Sequence, residues 1–184
     1  MPNDEATDRE LIDGWRKGDE ASAAELVRRH ASAVARFLGG AGADHDDIDD
    51  LVQETFFRAF RRIDTFRGGA TFRTWLLTIG SNVLKDTWRR RKRRPTTPLG
   101  DHDFADPSGD PLGESQANDI QTRLEEGVRA LPPMQRDVFL LRAQQGVEYD
   151  EIAKALETTV GAARVHYHHA VKRLKRALTL ELER

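Results

Sequence analysis

The chain has 184 residues, 38% hydrophobic and 33% charged, with a formal net charge of −2 and no cysteine. That length admits one domain or two small ones, and the modest apolar share favours small helical bodies with much solvated surface. Without cysteine, disulfides, zinc–thiolate sites and thiol catalysis are excluded.

The N-terminus, MPNDEATDRE, is acidic and lacks an apolar core, so no secretory signal is expected. No apolar run approaches the ~20 residues of a membrane span, which predicts a soluble, cytoplasmic protein without membrane insertion. Leu11, Ile12 and Trp15 mark a first helix. Ala23, Leu26, Val27, Val34, Phe37 and Leu38 mark a second, closed by Gly39-Gly40. Asp44 or Asp46 can cap a third, whose stripe runs Ile48, Leu51, Val52, Thr55, Phe56, Ala59, Phe60, Ile63. After Gly68-Gly69, Thr71 can cap a fourth with Trp75, Leu76, Ile79, Val83 and Leu84, ending in the cations of WRRRKRR before Pro95.

Residues 95–118 hold four prolines and five acidic residues but no Lys or Arg, and read as an extended linker between two domains. Helical patterning returns from 119 with Ile120, Leu124, Val128 and Leu131. Pro132-Pro133 starts the next helix, with Val138, Phe139 and Leu141 before a stop at Gly146. A short helix with Ile152, Ala153 and Leu156, a tight turn at Glu157-Thr158 and a long helix capped by Thr159 then make a helix-turn-helix unit. The expected fold class is all-α, with domains over 1–94 and 119–184; no strand pattern or internal repeat is visible.

The small net charge conceals segregation. Residues 1–60 carry 7 basic and 14 acidic side chains, 61–94 carry 11 and 2, 95–126 carry 1 and 8, and 127–184 carry 10 and 7. The two basic segments, +9 and +3, are the places for phosphate contacts.

The stretch DIDDLVQETFFRAFRRIDTFRGGATFRTWLLTIGSNVLKDTWRRRKRR resembles domain two of bacterial RNA polymerase sigma factors of the extracytoplasmic-function (ECF) group. LPPMQRDVFLLRAQQGVEYDEIAKAL, with the helix after it, resembles their domain four. The resemblance implies a promoter-specificity subunit that performs no covalent chemistry and needs no cofactor or metal. Implied partners are core RNA polymerase, through the clamp helices and flap, promoter DNA, and an anti-sigma factor.

By this resemblance Leu51–Arg61 matches the segment that docks on polymerase. Asp50, Gln53, Glu54, Phe57, Arg58 and Arg61 are its candidates, and Phe57 is an aromatic off the apolar stripe. FRGGATFRTW and the helix after it match the part that captures the −10 element, where melting needs a pocket for an unstacked base. Phe66, Arg67, Thr71 and Phe72 would frame that pocket. Asn82 matches the family asparagine, in IGSN with Gly80 where alanine is usual, and Lys85, Arg89, Arg90, Arg91 and Lys92 would hold phosphates. Trp75 reads as a core residue. The acidic linker either threads the polymerase's RNA path or serves as a solubilising spacer.

The helix beginning VGAARVHYHHAV would read the −35 element, with Thr159, Arg164, Val165, His166, His168, His169, Lys172 and Arg173 as candidates. Val165 stands where the family has serine, and His166 and His169 where it has arginine. The histidines admit three readings: a metal site, a pH sensor, or DNA contact as neutral or partly charged donors. The last is favoured, because no carboxylate lies within a turn and no cysteine exists. Tyr167 and Leu174 are expected to face the core, with Lys175 and Arg176 adding to the electrostatics. Glu157 stands where the family has glycine, at a cost of up to ~1 kcal/mol if the turn needs positive φ.

Two other classes compete with this reading: a helix-turn-helix regulator binding DNA alone, with residues 1–94 as a sensor or dimerisation domain, and a hydrolase using His45, Asp46, Asp47, Asp49 and Asp50. Those carboxylates crowd a helix start, where they stabilise the macrodipole without catalysing anything.

Overall fold

The computed structural model describes residues 3–93 and 113–179, and all regular structure among them is helical. Helix α1 (Asn3–Arg16) turns through Gly18, at φ 90°, into α2 (Glu20–Gly40). Asp19 caps α2 by accepting from the Ala21 N–H and the Ser22 hydroxyl. Gly40 is still helical, and the stop falls one residue later, at Ala41.

Asp44 and Asp46 do not cap the third helix. A 3₁₀ turn, His45–Asp47, intervenes before α3 (Ile48–Arg61), and no acidic side chain bonds its first amides. Asp44 reaches instead to Arg91 and Arg129. A second 3₁₀ turn carries Ile63, so the last residue of the expected stripe lies beyond α3 yet stays buried. Helix α4 (Phe72–Arg93) starts where expected: the Thr71 hydroxyl accepts from the Thr74 N–H, and its carbonyl accepts from Trp75. Leu26, Val34, Phe37 and Leu38 of α2 meet Leu51, Phe56 and Ala59 of α3 and Leu76, Leu77, Val83 and Leu84 of α4.

The second bundle begins at α5 (Gly113–Ala130), six residues earlier than the patterning suggested. Residues 95–112 of the expected linker lie outside the described residues. Pro133 occupies the first turn of α6 (Pro133–Phe139), where a missing N–H costs nothing. The chain then widens into a π turn, Leu140–Gln144, and stops at Gly146, at φ 69°. Helices α7 (Tyr149–Ala155) and α8 (Val160–Thr179) form the helix-turn-helix pair. Val128, Leu131, Val138, Leu140, Leu141, Ile152, Ala163, Ala170 and Leu174 fill this core. Leu174 is buried as expected, and Tyr167 is half-buried against Phe139 and Tyr149. The halves also touch: α4 packs on α7, and α2 on the π turn. No described helix is long and apolar enough to cross a membrane.

Candidate polymerase and nucleic-acid surfaces

Helix α3 turns Leu51, Thr55, Phe56 and Ala59 inward. That register leaves Asp50, Gln53, Phe57 and Arg61 on the open face. Phe57 is 55% exposed, with the Arg61 guanidinium 5.4 Å from its ring centre. Arg58 and Glu54 are half-buried. Arg58 binds Glu54 and Asp86, each at 2.7 Å, and so ties α3 to α4; both carboxylates raise its pKa. Asp50, Gln53, Glu54 and Phe57 border a shallow cleft of about 560 Å³, with Thr87 and Arg90 across it.

The loop between α3 and α4 presents an aromatic cluster. Phe66 lies 5.8 Å from Phe72 and 5.3 Å from Trp75, and Phe72 meets His30 edge-on at 5.4 Å. Phe72 is only 3% exposed, so it supports Phe66 from the core instead of presenting a platform. Trp75 is half-buried and shares the surface with Phe66. His30 in turn meets Asp8 at 2.8 Å.

Phe66, Arg67, Trp75, Asn82 and Lys85 line one cleft of about 780 Å³. Its opposite wall comes from the second bundle: Met134, Asp137, Leu156 and Glu157. Asn82 is exposed and Lys85 half-buried. Thr71 lies apart, on a larger cleft of about 1060 Å³ with Arg9, Arg36 and Arg73. The cations that follow, Arg89 to Arg93, are all exposed. Arg91 is held by both Asp44 and Asp47; burial lowers its pKa, but the two carboxylates outweigh that and the net shift is upward.

In the helix-turn-helix pair Glu157 is the one non-glycine residue at positive φ among those described, at 51°. This is the left-handed geometry for which glycine is the ordinary choice. The Thr159 hydroxyl caps α8 at the Ala162 N–H. With Ala163, Ala170 and Leu174 turned inward, Arg164, Val165, His168, His169, Lys172 and Arg173 form an exposed row. Val165 is 52% exposed. His166 is half-buried and its Nδ1 has no hydrogen-bond partner. The His168 and His169 rings lie 6.1 Å apart, and among the described residues no three His, Asp or Glu converge as a metal site would need. The Arg164 guanidinium rests 5.6 Å from the Tyr149 ring centre, a positioning contact that nothing in the local sequence announced.

The geometry brings the candidates onto three surfaces: the open face of α3, the α4 face with its loop, and the outer row of α8. The chain is also similar to known proteins. The family models Sigma-70 region 2 and Sigma-70, region 4 match residues 26–94 and 121–174. "ECF RNA polymerase sigma factor SigE" of Mycolicibacterium smegmatis is 33% identical over 179 residues, covering 95% of this chain and 68% of that protein. "ECF RNA polymerase sigma-E factor" of Salmonella typhimurium strain LT2 is 33% identical over 178 residues, 88% of this chain and 89% of its own. The structure of CnrH in complex with the cytosolic domain of CnrY superposes with a TM-score of 0.69 at 27% identity, covering 95% and 98% of the two chains.

Proposed function

The chain belongs to the ECF group of the sigma-70 family, transcription initiation factors without covalent chemistry of their own, and on that premise we propose how its surfaces divide the work. The open face of α3, centred on Phe57 and bordered by Asp50, Gln53 and Arg61, docks on core polymerase. Phe66, Arg67, Asn82 and Lys85, with Thr71 and the exposed Arg89, Arg90 and Lys92, capture and hold the −10 strand. The row Arg164, Val165, His168, His169, Lys172 and Arg173 reads the −35 element, where apolar Val165 suits a thymine methyl group. The protein works in the cytoplasm, where polymerase and promoter are. A regulatory protein that covers these surfaces, an anti-sigma factor, is the further partner; CnrH, of the same fold, was solved bound to the cytosolic domain of CnrY.

The observation that carries this reading is that both family regions leave reading side chains open on a helix: Asn82 on α4, and the Arg164 to Arg173 row on α8. Run-off transcription with purified core polymerase tests it. Initiation at a defined promoter only when the chain is added is the expected result. Tight, sequence-specific binding to duplex DNA by the chain alone, with no effect on polymerase, would identify a stand-alone regulator instead.

A further inference from the structure

Among the described residues three large apolar side chains are exposed, and two of them stand on the outer side of α8. Phe57 is the first, on the docking face. Val160 is 37% exposed and Val165 52%, while the core takes Ala163, Ala170 and Leu174 from the same helix. Apolar groups of this size gain by being covered, and nothing in the chain covers them.

Charge along α8 is distributed in the complementary sense. Its first eight residues carry one cation, Arg164, and the next nine carry four: Lys172, Arg173, Lys175 and Arg176, all exposed. The Arg164 guanidinium lies towards α7, 5.6 Å from the Tyr149 ring centre, a ring it shares with Arg142 at 5.0 Å. The leading turns of α8 are thus apolar at their tip, and the trailing turns are cationic.

Between the two valines stands Gly161. At about 100° and 1.5 Å per residue, Val160 and Val165 lie roughly 140° apart around α8 and about 7.5 Å apart along it, with Gly161 inside that arc. A Cβ added at Gly161 would meet nothing within 4 Å, so no neighbour in the chain requires glycine there. A helical glycine costs stability relative to alanine, and one that faces open space lets another molecule approach the backbone closely.

In the major groove a base pair presents hydrogen-bonding edges and, on thymine alone, a methyl group. Valine has neither donor nor acceptor, so the thymine methyl is the one base feature it can recognise. The serine that the family carries at position 165 can bond either kind of edge; Val165 cannot.

We propose that Val160 and Val165 make the −35 contact of this chain a methyl-reading one. They take the C5-methyl groups of two thymines within about two base-pair steps of each other, at ~3.4 Å of rise per step. Gly161 lets the helix sit deep enough in the groove for both. The cations of the trailing turns hold phosphates without choosing a sequence. This rests on the assignment of α8 to the −35 element.

The test uses holoenzyme formed from the full chain and core polymerase. A promoter library randomised across the −35 element, selected for binding, yields the preferred element. Each of its thymines, on either strand, is then replaced singly by deoxyuridine, which lacks only the methyl group. Two thymines within about two steps should each lose about fourfold in affinity when replaced, the worth of one buried methyl, and the others should not respond. Val165→Ala should erase the deoxyuridine effect at one of these positions and Val160→Ala at the other, because a contact already lost cannot be lost twice. Gly161→Ala should keep or raise the Tm of the free chain yet weaken the −35 complex, a split that a glycine kept for folding would not give. A selected element without such thymines, deoxyuridine effects that survive both valine changes, or undiminished affinity in Gly161→Ala would each overturn the proposal. Holoenzyme indifferent to scrambling of the whole −35 element would sink the assignment of α8 itself, so the two failures read differently.

Discussion

Phe57→Ala separates a docking residue from a structural one. Phenylalanine presents on the order of 200 Å² when fully accessible, so at 55% exposure about 110 Å² remains to be covered by a partner. At ~25 cal/mol per Å², and with alanine retaining part of that area, the substitution should weaken core-polymerase binding by about 2 kcal/mol, roughly 30-fold. Within the free chain the ring makes a partly exposed contact with Arg61, worth about 0.5 kcal/mol, so thermal stability should move by a degree or two at most. Competition for labelled core polymerase measures the first quantity, and circular dichroism melting the second. An affinity within twofold of wild type refutes the docking assignment. A melting temperature several degrees lower would show instead that Phe57 supports the fold.

Glu157→Gly should stabilise the chain by up to ~1 kcal/mol, about 2–4 °C in Tm, because glycine takes φ 51° without strain; a lower Tm would refute that reasoning. Gly80→Ala should gain up to ~1 kcal/mol from helix propensity, since the new Cβ would meet Thr55 at 3.5 Å and 3.6 Å and Leu38 at 3.7 Å, ordinary contacts; destabilisation in urea would reveal a clash. Replacing Arg89, Arg90 and Lys92 by alanine should flatten the slope of log affinity against log salt by about 2 in holoenzyme–promoter titrations. Arg91→Ala should change that slope less, because Asp44 and Asp47 already hold its guanidinium; an equal change would refute this. Hydrogen bonds from Arg28 and Arg29 hold the Glu25 carboxyl down at about 2, against an ordinary 4.5. A carboxyl lowered by folding contributes stability above its unfolded pKa and loses it as pH falls through the folded one. Melting between pH 4.5 and 2 should therefore fall less steeply in Glu25→Gln than in wild type, and parallel curves would contradict the pairing.

Local chemistry made most helices legible. Apolar spacing set the buried faces of α2, α3, α4 and α8, and Thr71 and Thr159 announced the starts of α4 and α8 because a hydroxyl before an apolar stripe has one obvious use there. The start of α5 was hidden, since GESQAN follows prolines and its one apolar residue, Ala117, is too little to set a phase. Asp44 misled for a different reason: its carboxylate is claimed by arginines 47 and 85 residues away, and a long-range ion pair leaves no trace in local sequence. Phe72 was expected to frame the −10 pocket because the family resemblance places it beside Phe66 and Arg67. Only the packing of His30 and Phe66 around it shows that it is a pillar. The seating of Asp137 and Glu151 on α4, across 52 to 80 residues, lay beyond any sequence pattern.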